Sequence, residues 1–424
     1  MDRESRFGTT YLLPAFAAFL TYFCMYCFRK PFTAASYEGM FLLGFQYKSI
    51  LVVVQVLGYM CAKFWGIRFI SELGRKNRSL IILALIGISE IALLGFAILP
   101  TNLKPLCLFV NGFPLGLIWG LVFSFLEGRK NTEFLGSFMA VSFIISSGVS
   151  KNIGKILMLD YGVDMFWMPF YIGLFVFPVL LFSCWLLTKI PDPSDADVAS
   201  RHVRTSMNSD DRKNLFYRFA IGISLFVLIY MMLNAFRDFR DNFIVELWAG
   251  LGFASNSSLL TTAEIPIMIF VLSITSLTAF IKNNYQAFFV DQLLIAISAF
   301  IIFGSTFLFQ LQYLSPLLWM IAVGCGLYLA YIIFQCIIFE RFIAAFKING
   351  NIGFLMYIAD AFGYLASIGI LIYKEFFFKA IQWVDFFIGC CYLISAFMLV
   401  LISAAMFYFS RKYRKFKLIP INHE

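Results

Sequence analysis

The stretch LLPAFAAFLTYFCMYCFRKPF (residues 12–32) is apolar for seventeen residues and then carries an arginine and a lysine side by side. A run of this length and composition reads as a membrane-crossing helix, which needs about 20 predominantly apolar residues. Cations at its end need a reason to be there, because a charge at bilayer depth costs roughly 2.5–3.5 kcal/mol on insertion scales. Similar runs recur along all 424 residues. The chain is 61% hydrophobic, 19% aromatic and 13% charged, against about 25% charged in a soluble domain. The class is therefore an all-α polytopic membrane protein, and the first run is too long to be the core of a cleavable signal.

Hydropathy places spans near 11–36, 48–68, 79–100, 104–126, 134–157 and 165–188, then 214–237, 258–281, 286–308, 314–338, 351–373 and 384–410. Twelve spans divide around KIPDPSDADVASRHVRTSMNSDDRK (189–213), the longest hydrophilic segment. This predicts an N-terminal six-helix half (1–188), a linker (189–213) and a C-terminal six-helix half with a basic tail (214–424). With both termini cytoplasmic, the connections assigned outside carry only Lys48, Lys104, Lys374 and Lys379, and most other basic residues fall inside. That asymmetry follows the positive-inside rule. It explains the net charge of +9 as a topology signal, so no nucleic-acid partner is expected. The expected setting is a lipid bilayer, the inner (cytoplasmic) membrane of a bacterium.

The halves echo each other. CFRK (27–30) corresponds to AFRD (235–238), FLEGR (125–129) to IFERF (338–342), and IGKIL (153–157) to IGILI (368–372). The pattern points to an internal duplication of the kind common in transporters. The nine cysteines lie almost entirely within apolar runs, and both histidines, His202 and His423, lie in polar segments. Neither pattern builds a metal or redox site. No nucleotide-binding loop or Ser-His-Asp arrangement is visible, so neither an enzyme nor a cofactor is expected, and a monomer is assumed.

Seven basic residues fall within or at the ends of spans: Arg29, Lys30, Lys63, Lys151, Lys155, Arg237 and Arg240. Lys30, Lys155 and Arg240 are read equally well as facing inward or as snorkelling to the interface or pairing with acids. Helical spacing puts the others on polar faces. Tyr22, Tyr26, Arg29 and Thr33 share a face of span one; Gln55, Tyr59 and Lys63 of span two; Ser147 and Lys151 of span five. Tyr230, Asn234, Arg237 and Asp241 align on span seven, and Tyr357, Asp360 and Tyr364 on span eleven. Two arginines and two lysines facing inward suit an anion, which guanidinium groups bind through paired hydrogen bonds.

GIRFISELGRKNRS (66–79) resembles the loop signature of the major facilitator superfamily, with Gly74, Arg75 and Lys76 as its conformational gating residues; Ser71 stands where that signature has an aspartate. Within the superfamily the chain resembles the organophosphate:phosphate antiporters. Their Tyr-x-x-Arg-Lys pattern on span one appears as Tyr26, Arg29 and Lys30, and their Tyr-x-x-x-Lys-Phe on span two as Tyr59, Lys63 and Phe64. Lys151, Asn152 and Gly154 stand at the His-Asn-x-Gly of span five. Arg237 matches the second phosphate arginine, Phe362–Leu365 match Phe-Gly-Tyr-Leu on span eleven, and Glu264 matches the span-eight glutamate. Lysine in place of histidine and the run RDFRDN (237–242) depart from that family.

The resemblance implies alternating-access exchange of a small organic anion, a phosphate ester, for inorganic phosphate. Arg29 and Arg237 would bind the phosphoryl group, Lys63 and Lys151 would add positive charge, and Tyr26, Tyr59, Asn234 and Tyr364 would supply hydroxyl and amide contacts. Lys30, Asp238, Arg240, Asp241, Glu264 and Asp360 would balance charge or couple. Two other readings stand beside it: a proton-coupled symporter of a carboxylate or sugar, titrating at Glu90, Glu264 or Asp360, and a transport-dead membrane sensor.

Overall fold

The computed structural model describes residues 12–72, 77–126, 129, 132–191, 209–254, 256–278, 280–348, 352–377 and 381–418. Twelve apolar helices order the chain. They are α1 (Leu13–Arg29), α2 (Tyr47–Glu72), α3 (Arg78–Ile98), α4 (Lys104–Leu126), α5 (Thr132–Leu159), α6 (Met168–Thr188), α7 (Ser209–Asn242), α8 (Leu259–Thr278), α9 (Asn284–Gln310), α10 (Pro316–Cys336), α11 (Ile352–Phe377) and α12 (Trp383–Leu418). Among the described residues, ten are long and apolar enough to cross a membrane; the remaining two are the 17-residue apolar helix α1 and the 26-residue α11. The fold is that of an all-α polytopic membrane protein.

Boundaries differ from hydropathy where backbone chemistry intervenes. Span one was expected to reach residue 36, but α1 stops at Arg29. Pro31 has no N–H to give a helical hydrogen bond, so the α-helical ladder ends at the Lys30 N–H and a short 3-10 turn, Pro31–Ala34, follows. Thr33 therefore leaves the helical face assigned to it. Its hydroxyl donates to the Lys30 carbonyl at 2.8 Å. Span seven runs on past residue 237, so RDFRDN is helical to Asn242. Span eight restarts at Glu264 after the single turn Leu259–Thr262, because Pro266 cannot donate to the Thr262 carbonyl. IFERF does not close span ten; it forms a separate helix, Ile338–Ala345.

Lys48, Lys104 and Lys374, counted with the outside connections, are buried within α2, α4 and α11. A long aliphatic stem lets the ammonium group lie against protein acceptors. Lys104 donates to the carbonyls of Phe96 and Ala97 at 2.6 and 3.0 Å. Lys374 lies 3.7 Å from the Trp383 ring centre.

The packing repeats with a step of six helices. In the first half α1 packs on α5 and α6, α2 on α4, and α3 on α4 and α6; in the second, α7 packs on α11 and α12, α8 on α10, and α9 on α10 and α12. The halves meet through α2 against α11 and α5 against α8, two contacts that exchange under the same pseudo-twofold. Without a hydrophobic drive between helices in lipid, close backbone approach at small residues supplies the packing. Gly112 of α4 meets α2 so closely that a Cβ there would stand 2.3 Å from the Gln55 carbonyl oxygen. At the α5–α8 seam a Cβ on Gly148 would stand 2.0 Å from the Leu260 carbonyl oxygen.

Gly87 of α3 has open space around its would-be Cβ. Gly112→Ala is therefore expected to destabilise the detergent-solubilised protein by about 1–3 kcal/mol, as overpacking does. Gly87→Ala should be neutral or mildly stabilising, as alanine is in a helix. Thermal unfolding of the two variants checks the contrast.

Candidate functional site

The last carbonyls of α1 have no partner within the helix and must find one elsewhere. Gln55 of α2 donates to the Arg29 carbonyl at 2.9 Å, and Asn111 of α4 donates to the Phe28 carbonyl at 3.2 Å. Gln55 also donates to Asn111 Oδ1 at 2.8 Å. Two helices, α2 and α4, thus fix the end of α1, and with it the buried Arg29 side chain.

Arg29 is 1% exposed. Its guanidinium lies 4.0 Å from the Tyr59 ring centre and 5.5 Å from that of Tyr26, and Nη1 donates to the Tyr26 hydroxyl at 3.3 Å. Nε and Nη2 have no partner. Those two groups form the side-on edge of the guanidinium, the edge that grips two oxygens of a carboxylate or phosphate. Arg237, on α7 of the other half, is 4% exposed. It lies 4.4 Å from the Tyr331 ring centre and 5.5 Å from that of Phe143. Its Nη2 donates to Asn234 Oδ1 at 3.0 Å and to Asp238 Oδ1 at 2.6 Å, while Nε has no partner.

Aromatic rings bridge the two arginines. Tyr26 lies 5.7 Å from Phe143, Phe143 lies 5.8 Å from Tyr331, and Tyr59 lies 5.0 Å from Tyr364, all between ring centres. Desolvated cation–π contacts of this kind are worth about 2 kcal/mol each, which helps to hold two like charges at the interface. Asn234 also donates to Ser367 at 3.1 Å and so ties α7 to α11.

The lysines play another part. Lys63 pairs with Asp360 of α11 at 3.3 Å, and Tyr230 donates to the same carboxylate. Lys30 and Lys151 both grip Asp241, at 2.6 and 2.7 Å, and Ser147 donates to it as well. Lys151 also donates to the Asp241 backbone carbonyl, and Lys30 to Asn242 at 2.8 Å. Arg240 pairs with Glu264 at 2.9 Å within the second half. Lys30, left open by its spacing, is thus acid-paired across the halves, and Arg240 is acid-paired too.

Further cross-half bonds lie at the same end of the bundle, away from the chain termini. Lys48 pairs with Glu246 at 2.5 Å, and Ser49 donates to Glu375 at 2.7 Å. This distal end is therefore held shut by polar contacts between the halves.

Of the residues singled out from sequence, Tyr26, Tyr59, Arg29, Asn234, Arg237 and Tyr364 come together, with Asp238 among them. Lys63 and Lys151 are brought to the interface in ion pairs of their own. Gly74, Arg75 and Lys76 lie outside the described residues, as does most of the linker. Sequence reading missed Phe143 and Tyr331 beneath Arg237, and Glu246 and Glu375 at the distal end. An aromatic residue in an aromatic-rich chain carries no mark of its own, and the acids belong to connections that look solvated.

Asp241→Asn would leave Lys30 and Lys151 facing each other without a carboxylate. Breaking a buried ion pair costs about 3–5 kcal/mol, so the variant should unfold at a clearly lower temperature. Substituting all three together (Lys30→Met, Lys151→Met, Asp241→Leu) should recover much of the loss. An unchanged melting temperature for Asp241→Asn would mean that the cluster carries no load.

Solved structures share this architecture at low identity. A D-xylose–proton symporter aligns over 93% of this chain and 95% of its own, with a TM-score of 0.62 and 16% identity. The human organic anion transporter MFSD10 (TETRAN) aligns over 96% and 100%, with a TM-score of 0.56 and 14% identity. A second structure, the proton:xylose symporter XylE bound to 6-bromo-6-deoxy-D-glucose, gives 97% and 96%, a TM-score of 0.61 and 16% identity. The fold is that of the major facilitator superfamily. No curated relative matches in sequence. The model of a family of unknown function, DUF5690, matches residues 31–412, and the chain belongs to that family.

Proposed function

We propose that the protein is a secondary transporter that moves a small organic anion, a phosphate ester, in exchange for inorganic phosphate by alternating access. One observation carries this reading: two buried arginines, one from each half, meet the interface with unpartnered donors, Nε and Nη2 of Arg29 and Nε of Arg237. The neighbouring cations Lys30, Lys63, Lys151 and Arg240 each hold a carboxylate already, so the arginines are where an anion gains most. Charge-assisted hydrogen bonds are worth about 1.5–3 kcal/mol each, enough to bind a small anion in a closed site.

Exchange follows from the same charges. Two guanidinium groups stand against the single carboxylate of Asp238, and two lysines against Asp241. An empty, closed site keeps positive charge uncompensated in low dielectric, so the halves should reorient slowly until an anion neutralises it. The distal contacts, Lys30 and Lys151 with Asp241 and Lys48 with Glu246, would break when that end opens.

In phosphate-loaded proteoliposomes, efflux should be slow in anion-free medium and accelerate when phosphate or a phosphate ester is added outside. Arg29→Ala should lower phosphate affinity about tenfold or more. Rapid efflux without an external anion would contradict exchange. Phosphate binding unaltered by Arg29→Ala would contradict the site.

A specific observation also favours the proton-coupled alternative. Glu264 pairs with Arg240 and Asp360 with Lys63, whereas both carboxyl oxygens of Glu90 on α3 are buried against Gly173 with no partner. Structures sharing the fold include a proton symporter and an organic anion transporter, so the architecture accommodates either coupling. If protons drive transport through Glu90, Glu90→Gln should abolish uptake driven by a pH gradient and leave counterflow intact.

A further inference from the structure

The anion site contains an acceptor as well as donors. Asp238 is 3% exposed, its Oδ1 accepts from Arg237 Nη2 at 2.6 Å, and its Oδ2 has no partner. The Arg237 it holds lies 5.5 Å from the Phe143 ring centre, and Phe143 stacks on Tyr26 beside Arg29. A ligand between the arginines therefore meets three unpartnered N–H donors and one unpartnered carboxylate oxygen. An ionised carboxylate only accepts hydrogen bonds. An oxyanion that also only accepts would leave Oδ2 unsatisfied and set two negative oxygens face to face in low dielectric.

Building on the anion-exchange reading, we infer that Asp238 determines specificity. It admits an anion that carries a hydrogen on one of its own oxygens, and turns away one that does not. Dihydrogen phosphate, and the monoanions of phosphate monoesters and phosphonates, meet both demands. Two oxygens lie on the Arg29 edge and Arg237 Nε, and the P–O–H group donates to Asp238 Oδ2. Sulfate has the same tetrahedral shape but no proton near neutral pH, and sulfate monoesters also lack one. A site built to receive a hydrogen bond discriminates strongly against the analogue that cannot make it. The carboxylate also trims the charge that the two arginines present, which suits a monoanion over a dianion.

Ligand-induced stabilisation of the purified full chain tests this with two isosteric pairs, phosphate against sulfate and methyl phosphate against methyl sulfate. The wild type should bind the phosphorus member of each pair about tenfold or more tightly, the discrimination expected of one hydrogen bond to a charged group. Asp238→Asn offers an amide donor in the same shape, so sulfate should gain and the ratio should fall towards one. The wild-type pairs decide the matter even if the Asn variant does not fold. Equal binding within each pair, or a ratio unchanged in the variant, would overturn the role of Asp238 and leave the arginine site standing. If none of the four anions stabilises the protein, and Arg29→Ala changes nothing, the anion reading itself falls, and this inference with it.

Discussion

A positive charge inside a membrane protein has to be matched by something, and most of this structure can be read as the set of matches. Lys63 has Asp360, Arg240 has Glu264, Lys48 has Glu246, and Lys30 and Lys151 share Asp241. Lys104 has helix carbonyls and an aromatic ring. Removing either member of such a pair strands the other in low dielectric, so these contacts fix how the helices sit. Arg29 and Arg237 are handled differently. Aromatic faces and one carboxylate hold them in place, and Nε and Nη2 of Arg29 and Nε of Arg237 stay unpartnered. Arg240 also keeps an unpartnered Nε, but Glu264 already neutralises it, whereas Arg29 has no carboxylate of its own among the described residues.

The pseudo-symmetry explains why the seam is the place. Helices α1 and α7 hold equivalent positions in the repeated packing, and each brings its arginine to the interface. The equivalence is imperfect. Pro31 ends α1 directly after Arg29 and Lys30, whereas α7 continues through Asp238, Arg240 and Asp241. The longer helix supplies Asp241, which is why Lys30 and Lys151 of the first half find their counter-ion in the second. Cross-half charge pairing at the distal end and Arg237 then sit on the same helix, so motion of α7 would affect both.

Much of this was legible in the sequence. Apolar run lengths gave each of the spanning helices to within several residues, and the 208-residue offset between CFRK and AFRD placed the two arginines opposite each other. Residues three and four apart grouped Tyr26 with Arg29 and Asn234 with Arg237. Partners across helices were not legible. Nothing in local spacing says that Asp241 serves Lys30 and Lys151, or that Tyr331 underlies Arg237, because these contacts join residues far apart in the chain. Lys48 was counted with the outside connections for a related reason: hydropathy treats a lysine as a boundary, although its ammonium is buried against Glu246 of the other half. Proline chemistry explains the early end of α1, and could have been weighted above hydropathy.

In the proposed site one anion touches Arg29 and Arg237 together. A double-mutant cycle on phosphate binding, with Arg29→Lys, Arg237→Lys and the combined variant, tests it most directly, since residues sharing a partner couple and independent ones add. The double variant should lose clearly less affinity than the two single losses combined. Strict additivity would place the arginines on separate ligands, or on none, and would contradict it.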